Sequence, residues 1–144
     1  MKLSDLAESM QSLFDAPSPA TLTLYRADGA ALVSPVWFRL HEGMFEVVVA
    51  RQDPKVDLLR SDPRAILLIF ETVPPFRGVR VIGLVTLDPD EGAKARLAIA
   101  SRYIGPDPGR AYADLDRRPP GFIIRWPIDT ARAWDLADKL PSTD

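Results

Sequence analysis

Residues Ser34–Glu71 read SPVWFRLHEGMFEVVVARQDPKVDLLRSDPRAILLIFE. Short apolar runs rich in valine and isoleucine recur through this stretch, and turn residues bound each of them. Leu32–Leu40 is the first expected strand. Pro35 inside it has no N–H to give to a ladder, which places that point at an edge or a bulge. His41-Glu42-Gly43 turns the chain, and Met44–Ala50 returns as a well-covered strand. Asp53-Pro54 then starts a short helix, with Asp53 as N-cap and Pro54 at the first helical position. Val56 and Leu59 face inward from it, and Asp62-Pro63 ends it. Ala65–Glu71 is almost continuously apolar and predicts a central strand.

The same reading extends both ways. Ala20–Arg26 alternates threonine with leucine and predicts a half-buried strand, followed by the hairpin turn Ala27-Asp28-Gly29. The three consecutive strands from Ala20 to Ala50 predict an antiparallel meander. Upstream, Leu3, Leu6, Met10, Leu13 and Phe14 are spaced as on a helix, with Ser4 or Asp5 as cap and Pro17 and Pro19 as the stop. Downstream, Val79–Leu87 predicts a long fifth strand in which Gly83 marks a bulge or a close backbone approach. Asp90–Tyr103 predicts an amphipathic helix with Ala93, Leu97, Ala100 and Ile104 on one stripe, and Asp107–Leu115 a weaker one. Gly121–Trp126 and Thr130–Leu136 predict a closing hairpin. The expected fold is mainly β: an antiparallel barrel of six to seven strands with peripheral helices. Residues 1–19 form an N-terminal helix and linker, 20–136 the barrel domain and 137–144 a tail.

Composition narrows the chemistry. The chain has 144 residues, 47% hydrophobic and 26% charged, with net charge −2. These are values of an ordinary globular domain large enough to bury a core. The charge balance argues against nucleic acid as a partner. There is no cysteine and one histidine. Thiolate chemistry is therefore excluded, and a zinc site has too few ligands. No apolar run reaches the roughly 18 residues of a membrane span, and the first 19 residues lack a signal-peptide core, so the expected compartment is the cytoplasm. His41 in its turn reads as a solvated residue. Asp88-Pro89-Asp90-Glu91 lies where carboxylates meet the positive end of a helix. No glycine-rich phosphate loop is present. With no self-contained catalytic group in view, a cofactor would have to carry the chemistry.

The long segment Ser34–Glu71, together with PPFRGVRVIGLVTL at Pro74–Leu87, ASRYIG at Ala100–Gly105 and RAW at Arg132–Trp134, resembles the split-barrel family related to pyridoxamine 5′-phosphate oxidase. The resemblance covers most of the chain from Ala20 onward, and its force lies in the order and spacing of the pieces. It implies a homodimer with cofactors at the subunit interface, either FMN or the 8-hydroxy-5-deazaflavin coenzyme. It implies that Ser34, Pro35, Val36 and Trp37 run beside the ring system. It also implies that Val49, Ala50 and Arg51 reach the ribityl chain and phosphate, and that Lys55 holds the phosphate with Arg51 as helper. Phe76 and Arg77 would reach the partner's ring, and Arg80 the acidic tail of a deazaflavin.

Each of these positions also has a plainer reading. Trp37 could be a core or interface residue, Lys55 a solvated helix lysine, Phe76-Arg77 loop packing and Arg80 a solvent-exposed arginine. Physics supports a phosphate at the start of the helix after Asp53, where free N–H groups and the dipole converge. Asp53 competes for those N–H groups, and Pro54 removes one. The chain departs from the family at Ala50–Arg51, where a hydroxyl residue is common.

The implied function is hydride transfer between the bound cofactor and a small organic substrate, with the deazaflavin slightly favoured; the alternative is a cofactor carrier without turnover. Oxidation of pyridoxamine phosphate itself is less expected, because the substrate-binding arginine-and-histidine pattern of that enzyme is missing at the C-terminus. A single-strand nucleic-acid binder is a third possibility, with Arg117, Arg118, Arg125 and Trp126 as its local candidates.

Overall fold

The computed structural model describes residue 8, residues 10–114 and residues 116–141. The expected first turns at Leu3–Leu6, with their caps, lie outside the described residues. The remainder of that expected helix is short: α1 (Gln11–Asp15) buries Leu13 and Phe14. The Phe14 ring meets Phe45 edge-on, with centroids 5.3 Å apart.

Nine strands occur among the described residues: β1 (Ala20–Tyr25), β2 (Ala31–Val36), β3 (Arg39–His41), β4 (Met44–Val49), β5 (Arg64–Phe70), β6 (Gly78–Leu84), β7 (Thr86–Pro89), β8 (Phe122–Pro127) and β9 (Ala131–Trp134). They form two antiparallel sheets, one ordered β2-β1-β5-β6-β9 and the other β3-β4-β8-β7. Helix α2 (Pro54–Ser61) joins β4 to β5, and α3 (Lys94–Ile104) and α4 (Pro106–Ala113) lie between β7 and β8. The architecture is mainly β with peripheral helices, as expected, and is consistent with a split barrel. The two sheets do not close into one continuous barrel.

The strand count exceeds the expected six to seven because two long apolar runs each break in two. Leu32–Leu40 leaves the five-stranded sheet after Val36 and enters the four-stranded sheet at Arg39. Val79–Leu87 does the same at Val85, whose N–H goes to the Pro63 carbonyl at 2.9 Å. Gly83, the residue expected to bulge, stays in register opposite Ala65. Periodicity records that a run is apolar, but not that it changes sheets to wrap a single core. Two further expectations are corrected for the same reason. Strands β1 to β4 are two hairpins in different sheets, not a meander. Strands β8 and β9 are not a hairpin either, since β8 pairs with β4 and β7 while β9 pairs with β6.

Between the sheets, Leu22, Phe45, Leu67, Val81, Ile124 and Trp126 are essentially inaccessible to solvent. The indole N–H of Trp126 is satisfied by the Ala65 carbonyl at 3.2 Å. Helix α2 buries Val56 and Leu59, as its spacing predicts. Helix α3 starts later than expected, at Lys94, after Gly92 and Ala93 adopt positive φ. It buries Ala95, Ile99 and Ala100, while Ile104 of the expected stripe is exposed. Asp90 is fully buried and accepts the N–H groups of Ala95 and Arg96 at 2.9 and 3.0 Å. That carboxylate is therefore a structural cap. On the outer face of the five-stranded sheet the apolar side chains Val33, Ile82 and Leu84 are 61%, 52% and 68% exposed.

Candidate functional site

Where β2 leaves its sheet and β4 ends, the chain forms a cleft of about 660 Å³. Its floor comes from Pro35, Val36 and Trp37 at the crossover and from Val48, Val49 and Ala50 at the end of β4. After β4 the Asp53 N–H closes a turn on the Ala50 carbonyl at 3.0 Å, and α2 begins at Pro54. Asp53 caps that helix by accepting the Lys55 N–H at 2.9 Å. The cap fixes the Lys55 backbone, and the Lys55 Nζ lies 3.5 and 3.4 Å from the two Asp53 oxygens.

Seven of the residues expected at a site line this cleft: Pro35, Val36, Trp37, Val49, Ala50, Arg51 and Lys55. Ser34 sits one residue away, half-buried in β2 opposite Leu22. Phe76, Arg77 and Arg80 lie elsewhere in the same chain. Phe76 is exposed at the end of the β5–β6 loop. Arg77 grips Glu71 with two guanidinium hydrogen bonds of 3.0 and 2.9 Å and donates to Ser12 Oγ at 2.8 Å. These bonds hold the Glu71 carboxyl below its ordinary range and raise the Arg77 guanidinium correspondingly. Arg80 stands on the exposed face of the five-stranded sheet, opposite Leu68 and Arg132.

Trp37 is held by the ASRYIG segment. Its ring stacks on Tyr103, with centroids 4.8 Å apart and planes within 8°, and tilts against Tyr112 at 5.1 Å. The Tyr103 hydroxyl accepts the Phe38 N–H at 3.2 Å and donates to the Ser18 carbonyl at 2.9 Å. Arg102 donates to the Phe38 and Ala16 carbonyls at 2.9 and 3.2 Å. A change of sheet strips backbone groups of ladder partners, and these two side chains supply replacements. The crossover that presents Trp37 to the cleft is thereby fixed.

Sequence reasoning missed the wall facing α2. Arg96 of α3, Tyr112 of α4, and Arg118 and Pro119 of the α4–β8 loop all line the cleft. Arg96 donates to the carbonyls of Arg118 and Pro119 at 3.0 Å each, and Arg51 Nε donates to the Pro120 carbonyl at 3.2 Å. The available signal was the pair Pro119-Pro120, whose carbonyls lie outside any ladder and need donors from elsewhere. Among the described residues, four cations (Arg51, Lys55, Arg96 and Arg118) and one carboxylate, Asp53, thus line the cleft around an apolar and aromatic floor. Such a surface suits an anion attached to a flat apolar body.

The nucleic-acid set does not assemble. Trp126 is fully buried, and Arg125 is bound to buried Glu46 at 2.6 Å and to Asp88 at 2.9 Å. His41 is exposed beside Glu42 at 3.7 Å. Among the described residues no three metal-ligating side chains cluster, and no helix is long and apolar enough to cross a membrane.

The family model for pyridoxamine 5′-phosphate oxidase matches residues 6–135. The chain belongs to that family. The pyridoxamine 5′-phosphate oxidase family contains proteins of several activities, and solved structures similar to this chain reflect that. An F420 reductase shares 26% identity at a TM-score of 0.65, covering 81% of this chain and 90% of the other. A conserved hypothetical protein from Mycobacterium tuberculosis shares the fold at 22% identity and a TM-score of 0.75, covering 100% of this chain and 91% of the other. A FAD-binding protein from Mesorhizobium loti does so at 16% identity and a TM-score of 0.62, covering 88% and 90%. Among curated proteins no match was found. The family is one of flavin-binding split-barrel proteins.

Proposed function

We propose that this chain is an oxidoreductase that transfers hydride between a bound flavin-type cofactor and a small organic acceptor, with an 8-hydroxy-5-deazaflavin favoured over FMN. The observation that carries the proposal is the charge of the cleft: among the described residues, four cations and one carboxylate around an apolar floor. A bound cofactor of this type would supply the hydride chemistry. The protein's part is to bind, orient and shield. Lys55 and Arg51 would hold the phosphate beside the start of α2 through their side-chain charges, since Pro54 has no N–H and those of Lys55 and Val56 are taken by Asp53. Pro35, Val36 and Trp37 would lie along the ring, with Trp37 kept in place by Tyr103. No histidine or cysteine lines the cleft, and Asp53 is occupied as a cap. Protons would then come from solvent. The same scarcity favours a second reading, a carrier that binds the cofactor without turnover.

The active unit in this proposal is a homodimer. Pro35 lines the cleft and also lies on the exposed face of the five-stranded sheet, in line with Thr21. A second copy seated on Val33, Ile82 and Leu84 would cover apolar surface and at the same time roof the cleft. Phe76, exposed at the sheet's end, is then available to a partner's site. The test is titration of FMN and of the deazaflavin coenzyme into wild type and Lys55→Ala, read by fluorescence and by sedimentation. Loss of one charged hydrogen bond predicts about 10–100-fold weaker binding with the dimer intact. Unchanged affinity removes Lys55 from the site. Oxidation of reduced cofactor by candidate acceptors no faster than in free solution favours the carrier.

A further inference from the structure

Resting on the cofactor reading above, we infer that the cleft contains a second anion subsite, formed by Arg118 and held in place by Arg96, for a carboxylate or phosphate group separate from the cofactor's first phosphate. The cleft has more positive charge than one phosphate can use. Lys55 in the first turn of α2 and Arg51 just before that helix, its Nε on the Pro120 carbonyl, are enough for a single phosphate. Arg118 lies on the opposite wall, where it leans over the Tyr112 ring at 5.4 Å and donates to the Tyr112 carbonyl at 3.4 Å. Among the described residues it has no carboxylate partner, unlike Arg39, Arg64, Arg77 and Arg125. A guanidinium that rests on an aromatic ring and keeps its remaining N–H groups free presents a planar fork to a carboxylate or phosphate.

The wall bearing Arg118 is built to stay where it is. All three successive carbonyls of Arg118, Pro119 and Pro120 are held by guanidinium donors, two from Arg96 and one from Arg51. Gly121 then packs so closely on β4 that a Cβ there would overlap the Val49 carbonyl oxygen, and its own carbonyl accepts the Asp90 N–H at 3.0 Å. Arg96 is thus a positioning residue. Its buried Nε has no hydrogen-bond partner, so its charge is only partly satisfied by the loop it holds. Among the described residues neither guanidinium on this wall is paired with a carboxylate, so an anion there would meet uncompensated positive charge.

The shared ligand chemistry is a second anionic group, which could sit on an extended acidic tail of the cofactor or on the substrate. The experiment separates these sources. Dissociation constants are measured for wild type, Arg118→Ala and Arg118→Lys with FMN, with the tailed deazaflavin coenzyme and with its tail-less phosphate. A further titration adds benzoate or benzamide to cofactor-loaded protein. If the tail is the source, Arg118→Ala weakens the tailed coenzyme about 5–10-fold and FMN less than 2-fold, the low end for an exposed charged contact, and Arg118→Lys restores only part of the loss, since lysine keeps the charge but not the planar fork. If the substrate is the source, the cofactors are unaffected, while benzoate binds better than benzamide and loses that preference in Arg118→Ala. Wild-type binding of the cofactors with no selective loss in any titration overturns the subsite and leaves the parent reading standing. Failure of wild type to bind any of the cofactors overturns both.

Discussion

Asp53→Asn removes the one carboxylate that lines the cleft among the described residues without removing the cap of α2. Asparagine accepts the Lys55 N–H as well as aspartate does, so the helix start survives. The cost to the fold is about 0.3–1 kcal/mol of lost interaction with the helix dipole. The gain appears in binding. Lys55 Nζ stands 3.4 Å from Asp53 Oδ2, so a phosphate that takes the lysine must approach Asp53 to roughly 6 Å. Repulsion between unit charges at that distance is about 0.7 kcal/mol in bulk water and about twice that at half the dielectric. Removing it predicts binding of FMN about 3–10-fold tighter at low salt. Isothermal titration at low and high ionic strength is the assay, and the gain should shrink as salt screens it. Affinity unchanged or weaker at low salt would refute the assignment of the phosphate to the Lys55 end of the cleft.

Three other outcomes are expected from the packing. Gly121→Ala forces a Cβ onto the Val49 carbonyl oxygen and is expected to cost about 1–3 kcal/mol, seen as a melting temperature lower by roughly 3–10 °C, together with weaker cofactor binding. Ile82→Asp places a charge in the middle of the exposed sheet face, opposite Ile66, and should shift sedimentation from dimer to monomer. Glu71→Gln tests the grip on Arg77. Because Arg77 holds the Glu71 carboxyl below its ordinary range, the pair's contribution is complete above roughly pH 4.3 and fades as pH falls through the lowered value. Urea melts should find the variant about 1 kcal/mol less stable than wild type at pH 7, with the difference shrinking as pH falls below about 4.3.

Much of the fold was legible because local chemistry decided it. Asp28-Gly29 turns the β1–β2 hairpin with Gly29 at φ 87°, and Asp53-Pro54 starts α2 as capping rules require. The buried alternation of β1 follows its leucines. What could not be read is what depends on three-dimensional closure. The two changes of sheet, at Trp37-Phe38 and at Val85, have no local signature, because an apolar run looks the same whether it continues or bends around a core. Pairing between β4 and β8 joins residues far apart in sequence. The α2 side of the cleft was visible in Arg51 and Lys55, which share one short segment. The opposite wall was not, since Arg96 and Arg118 meet only through backbone carbonyls of a loop. Arg77 looked available in sequence, but Glu71 six residues before it holds it fast across the β5–β6 turn.

A phosphate-bearing flavin-type ring in the cleft at the β2–β4 crossover is the premise of every binding prediction made for this chain. A crystal structure of the protein grown with the deazaflavin coenzyme or FMN tests that premise without intermediaries. The expected density places the phosphate within hydrogen-bond distance of Lys55 Nζ and the ring along Pro35–Trp37, with a second subunit above it. Cofactor density at another place, or a cleft left without cofactor at saturating concentration, would refute it.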